Sequence, residues 1–281
     1  MLYEPRTGTV IDLRFAEFIS FFNSPYYPHR MGTAIDVYPR ENLFLNPFEE
    51  ATVLRVVRVE CPKMRVDGVG RDYVTLLLLP TKIVAKVLHV DPGVRVGERL
   101  CLHDPVGKTM VTGFLYPWSE PHAHLELRPM HRALGVLSGL RVKVLRLPLV
   151  PSTARVHGVV KRIDEFFALI EPVKTSGYGP TPLSTAAQGP WIEGGYPHYG
   201  YVALHSYGEG EDLGVTRVAT KSFEPRRKNF VSASTYLGRP LIKIVFDNPR
   251  ALDLREGDYL ELPTLTKSLR VLATGSEEPN L

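Results

Sequence analysis

Short β-branched stretches punctuated by glycine and proline constrain this chain more than any other feature. Its 281 residues include 23 glycines and 24 prolines, spread between apolar runs rather than gathered into one low-complexity block. Residues 51–59, 73–79, 83–90, 95–102, 109–114, 123–128, 141–147, 155–161 and 166–173 are rich in Val, Leu and Ile with polar residues alternating. Further runs at 201–205, 215–221, 230–234, 241–246, 259–262 and 269–272 continue the pattern. Recurrence about every ten to fifteen residues with period-two alternation predicts a mostly β protein. Helical periodicity is confined to 13–22 and 130–137.

Composition narrows the class. With 44% apolar and 23% charged residues there is enough apolar surface to bury a core, which excludes wholesale disorder. No apolar run approaches the roughly 18 residues of a membrane-spanning helix. The first twenty residues carry Glu4, Asp12, Arg14 and Glu17, so no secretory signal is expected and a cytoplasmic location follows. Two cysteines cannot build a disulfide framework or a multi-cysteine zinc site, although a single bridge remains open. The net charge of +4 is spread along the chain and does not announce nucleic acid. The one compact basic cluster, Arg226, Arg227 and Lys228, reads as a solvated loop, so nucleic acid is not the expected partner. Few Asn and Gln side chains point toward a hot-environment source.

Length and the prolines at 148 and 151 suggest two domains, 1–138 and 139–281. The second contains a Gly-, Pro- and Tyr-rich stretch, residues 176–199, that reads as a long loop.

Two segments of the first domain carry chemistry. In His122-Ala123-His124-Leu125-Glu126-Leu127, strand alternation places both imidazoles on one face, about 6–7 Å apart. Such a pair suits two ligands of one ion, or one ligand beside an acid–base group, but by itself reads more readily as two unrelated histidines on a wet face. Glu126 falls on the same face, as a carboxylate orienting a histidine or as a surface glutamate. In the second segment, Asp36 stands between Ile35 and Val37. A carboxylate there requires a cation, a donor or a metal; turn amides, Arg30 or Arg40 would also serve.

Taken together, residues 34–39 (Ala-Ile-Asp-Val-Tyr-Pro) and 122–127 resemble the lysostaphin-type zinc metallopeptidases, including the LytM-like peptidoglycan endopeptidases. That family orders a His…Asp motif, a turn-rich stretch similar to residues 90–100, and a closing His-Leu-His-Phe-Glu-like strand. The resemblance spans roughly residues 25–130 and implies a lysostaphin-like (duplicated hybrid motif) β-barrel or sandwich followed by a second β domain. It further implies Zn2+ held by His29, Asp36 and His124, with His122 as general base or oxyanion stabiliser and His89 as a second catalytic histidine. His29 lies seven positions before Asp36, whereas four is the family's usual spacing, so residues 30–33 must loop the ring back toward the aspartate. For His89, an alternative register would place Val84 or Lys86 at its site. The implied activity is metal-assisted hydrolysis of a peptide or protein substrate. The alternative is an inactive metal-binding or assembly module on the same scaffold.

Overall fold

Pairing between short strands does most of the organising, as the β-branched runs predict. The computed structural model describes residues 2–62, 65–144, 156–172, 191–196, 201–207, 213–219, 230–235, 241–246 and 254–262. The chain divides into two compact units, one mainly from Met1–Pro148 and the other mainly from the residues beyond.

In the first unit, β1 (Leu2–Glu4), β2 (Thr9–Ile11) and β3 (Ala16–Ser20) precede a single helical turn, α1 (Tyr27–Arg30). Then follow β4 (Ala34–Pro39), β5 (Leu43–Leu45), β6 (Glu50–Glu60), β7 (Arg71–Leu78), β8 (Ile83–Leu88) and β9 (Val90–Pro92). The set closes with β10 (Arg99–Cys101), β11 (Pro105–Thr109), β12 (Ala123–Pro129) and β13 (Lys143–Val144). Seven of these strands form a curled antiparallel half-barrel sheet in the order β10-β6-β7-β8-β12-β4-β3. Two three-stranded sheets, β13-β1-β2 and β5-β11-β9, accompany it.

The second unit holds β14 (Val156–Ile163), β15 (Phe167–Pro172), β16 (Trp191–Tyr196) and β17 (Tyr201–Tyr207). It continues with β18 (Leu213–Ala219), β19 (Phe230–Thr235), β20 (Ile242–Phe246) and β21 (Tyr259–Leu262). They make one eight-stranded sheet, β18-β17-β16-β19-β20-β15-β14-β21. Among the described residues no helix is long and apolar enough to cross a membrane. Cys61 and Cys101 are both free.

Several expectations need correction. Residues 13–22 do not form a helix: Ala16–Ser20 is the edge strand β3, paired with β4 through Phe18↔Tyr38 and Ser20↔Asp36. Four phenylalanines and Ile19 in that window favour a pleated, half-buried surface, and pairing overrides the apparent helical period. Residues 130–137 give one 3-10 turn, Met130–Arg132, hemmed by Pro129 and Gly135. The expected strand 95–102 shrinks to Arg99–Cys101, because Glu98 N–H donates to the Arg95 carbonyl in a turn with Gly97 at φ +87°. The strand expected at 109–114 lies earlier, at Pro105–Thr109. Part of the supposed loop 176–199 is strand β16. The run at 269–272 lies outside the described residues.

The two faces of β12 differ sharply. Ala123, Leu125 and Leu127 are buried on one, beside Ile35 and Val37 of β4 and Ala85 and Val87 of β8. His124, Glu126 and Arg128 are buried on the other. Replacing Leu125 by Ala should lower unfolding stability by about 2–5 kcal/mol in a denaturant titration, since its side chain is enclosed and the void would not refill. A loss below about 1 kcal/mol would contradict this packing.

Candidate metal centre

The site begins with register. Asp36 of β4 lies directly opposite His124 of β12, so their side chains rise together from the same face of the sheet. His29 arrives from α1, where Pro28 is accepted in the first turn because no intrahelical N–H is needed there. Beyond α1, Gly32 N–H donates to the His29 carbonyl and adopts φ +64°, reversing the chain into β4. Thr33 completes the turn by donating its N–H and hydroxyl to the Pro28 carbonyl. Seven extended residues would span about 23 Å. The helical turn and Gly32 instead bring His29 Nε2 to 3.2 Å from Asp36 Oδ1.

Three ligand atoms consequently converge. His29 Nε2 lies 2.9 Å from His124 Nδ1, and that nitrogen lies 3.1 Å from Asp36 Oδ1. These near-equal edges resemble the separation of about 3.3 Å between ligand atoms around a tetrahedral ion with bonds of 2.0–2.1 Å. The group His29–Asp36–His124 could hold a metal ion. Its far nitrogens fit that use. His29 Nδ1–H donates to the Phe21 carbonyl at 2.7 Å, which leaves Nε2 with a lone pair toward the centre. On His124, Nε2 faces Glu126 Oε1 at 3.3 Å, leaving Nδ1 as the inward atom.

Two further histidines border the group. His122 Nδ1–H donates to the Glu120 carbonyl at 2.7 Å, and its Nε2 lies 3.5 Å from Asp36 Oδ1. His89 is placed by a break between β8 and β9, where its backbone takes φ +63°, a left-handed conformation uncommon outside glycine. Its N–H and Nδ1–H both reach Asp72, the ring nitrogen at 2.5 Å from Oδ2. The His89 and His122 ring centres are 5.4 Å apart, and those of His89 and His124 are 6.0 Å apart.

All five expected site residues, His29, Asp36, His89, His122 and His124, are thus brought together. The seven-residue spacing is accommodated by α1; His89 borders the cluster, and Lys86 reaches it through Glu126. Asp72 was missed by sequence reasoning, although the signal resembled that of Asp36: an acid at the head of an apolar strand, sharing a face with Val74 and Leu76. Lys86, weighed only as an alternative at the His89 position, and Arg128, not anticipated, both pair with Glu126. The cluster Arg226, Arg227 and Lys228 lies outside the described residues.

Electrostatics differentiates the histidines. Burial, the largest influence on Asp36, opposes its charge, but His29, His122 and His124 together hold the carboxyl well below the usual range. Burial drives His122 down to about 4 despite the attraction of Asp36, so it is a neutral base. His124 is also penalised by burial, yet hydrogen bonds to Asp36 and Glu126 raise it to about 9. Glu126 is carried against its burial to about 2 by His124, Lys86 and Arg128. Burial is again the largest influence on Asp72 and opposes its charge, but the His89 ring together with the backbone N–H groups of Tyr73 and His89 lowers its carboxyl.

A β unit whose curled sheet presents two imidazoles and a carboxylate to one point, bordered by two further imidazoles, belongs to the class of candidate metal-binding proteins. Residues 9–142, which enclose every residue of this cluster, are similar to a family described as "Domain of unknown function (DUF8155) N-terminal domain". No curated protein and no solved structure matches the chain.

Because the His124 pKa is raised on folding, its contribution to stability in metal-free protein is complete below about pH 6.5 and is lost as pH rises through about 9. The melting temperature of chelator-treated protein should therefore fall between pH 7 and 9.5, more steeply than that of His124→Gln. Equal slopes would count against a doubly hydrogen-bonded imidazolium.

Proposed function

We propose that the first unit is a zinc-dependent peptide hydrolase of the lysostaphin/LytM type, with His29, Asp36 and His124 as ligands. The observation that carries this reading is the convergence of three ligand atoms whose imidazole far sides are already committed to acceptors. Two imidazoles and one carboxylate form a donor set suited to zinc, and three protein ligands leave a fourth position for water or substrate. When bound, zinc supplies a Lewis acid for the scissile carbonyl and lowers the pKa of water.

The remaining chemistry belongs to the chain. His122 is neutral and its Nδ1–H is occupied by the Glu120 carbonyl, so Nε2 is the basic atom facing the centre. It accepts the proton from attacking water and returns it to the leaving amine. Asp72 accepts from His89 Nδ1–H, which leaves Nε2 as a basic atom able to share in that proton transfer. The left-handed backbone at His89 turns the ring out of the strand.

A second reading, a metal-binding module without turnover, is favoured by the burial of the cluster: His29 is 1% exposed, Asp36 3% and His124 9%. Residual exposure concentrates on His89, His122 and His124, which is the side a peptide would approach.

Elemental analysis of full-length protein after zinc loading and desalting should find about one zinc per chain, and none in His124→Ala. His122→Ala should keep the metal yet cleave peptides about 10²–10⁴-fold more slowly in a library assay. Zinc-free wild type would overturn the metal reading. Stoichiometric zinc with no cleavage of any peptide would favour the second.

A further inference from the structure

We infer that Glu126, clamped by Lys86 and Arg128, fixes His124 as an Nδ1 ligand and thereby sets the affinity of the metal centre. This inference rests on the reading of His29–Asp36–His124 as a metal site.

Alternation along β12 places residues 124, 126 and 128 on one face, and register puts Lys86 of β8 and Ala34 of β4 on either side of Glu126. Glu126 divides its oxygens. Oε1 lies 3.3 Å from His124 Nε2 and 3.1 Å from Lys86 Nζ, while Oε2 accepts from Arg128 Nη2. Arg128 is itself anchored, Nη1 donating to Ser138 Oγ at 3.0 Å and Nη2 to the Val136 carbonyl at 3.0 Å. The carboxylate is therefore held from two sides and cannot follow the histidine. Its ring must follow the carboxylate.

The consequence for His124 is geometric. Turning the ring by half a revolution would present a C–H to Glu126 and another to Asp36, forfeiting hydrogen bonds at both ends inside a dry interior. Moving the proton from Nε2 to Nδ1 would break the contact between Glu126 and the ring and would cap the ligand atom. Orientation and tautomer are both decided by Glu126, as expected for a carboxylate behind a metal-bound imidazole. A purely structural ion cluster accounts less well for the arrangement. Buried pairs can often be exchanged for apolar side chains at little cost to folding, so folding alone does not require these three charges.

Zinc affinity of the full chain, measured by competition with a chromogenic chelator, separates the possibilities. Glu126→Gln preserves an acceptor for His124 but not the charge, and should weaken zinc binding by about 10–100-fold. The triple variant Glu126→Leu, Lys86→Met, Arg128→Met removes the whole cluster without leaving an unpaired charge. It should fold, as judged by circular dichroism, and still bind zinc at least 10-fold more weakly. In zinc-loaded wild type, nitrogen-15 chemical shifts of His124 should report Nε2–H with Nδ1 metal-bound. Zinc binding in wild type with unchanged affinity in both folded variants would overturn this inference and leave the metal reading intact. Failure of wild type to bind zinc at all would overturn both.

Discussion

A buried carboxylate facing imidazoles is the constraint on which the first unit depends. Asp36 sits on an apolar strand, enclosed by its neighbours, where an unpaired charge would be prohibitively costly. Its partners arrive from two elements: His29 from α1, and His122 and His124 from the start of β12. The positive charge it requires can be a proton shared within that cluster or a cation at its centre. A proton satisfies one imidazole at a time, whereas a divalent ion satisfies His29, His124 and Asp36 together.

Each histidine is held from behind by an acceptor, and the acceptors are of two kinds. His29 and His122 donate to backbone carbonyls, of Phe21 and Glu120. His124 and His89 face carboxylates, Glu126 and Asp72. A carbonyl fixes a tautomer while adding little charge, and burial keeps His122 neutral. A carboxylate adds charge as well as direction, which raises His124 in the absence of metal and would strengthen it as a ligand in its presence. His122 and His124, two positions apart in the chain, are thereby given different electrostatic characters by their surroundings, not by the residues themselves.

Much of this was legible in the sequence. The β-branched runs fixed most strand positions, because a pleated half-buried surface selects Val, Ile and Leu at alternate positions. Asp36 was readable because a carboxylate on an apolar strand needs a partner, and the His-x-His pair because it resembles the closing strand of the zinc metallopeptidases. Elements whose definition is non-local were harder. Ala16–Ser20 became a strand only through its pairing with β4. Residues 95–98 became a turn because Gly97 could adopt a positive φ, shortening the strand that alternation suggested.

What the sequence alone determined is the alphabet of the first unit: alternating strands, the turn residues between them, and four histidines and an aspartate marked as candidates by a family resemblance. Tertiary structure decided which nitrogen of each ring points inward, how a seven-residue spacing closes to hydrogen-bond distance, and which buried carboxylates stand behind His89 and His124. The physical reason is that alternation assigns a face but not a neighbour. Asp36 and His124 are 88 residues apart, His89 and Asp72 are 17 apart, and only the order and register of β7, β8, β12 and β4 in the curled sheet bring each pair into contact.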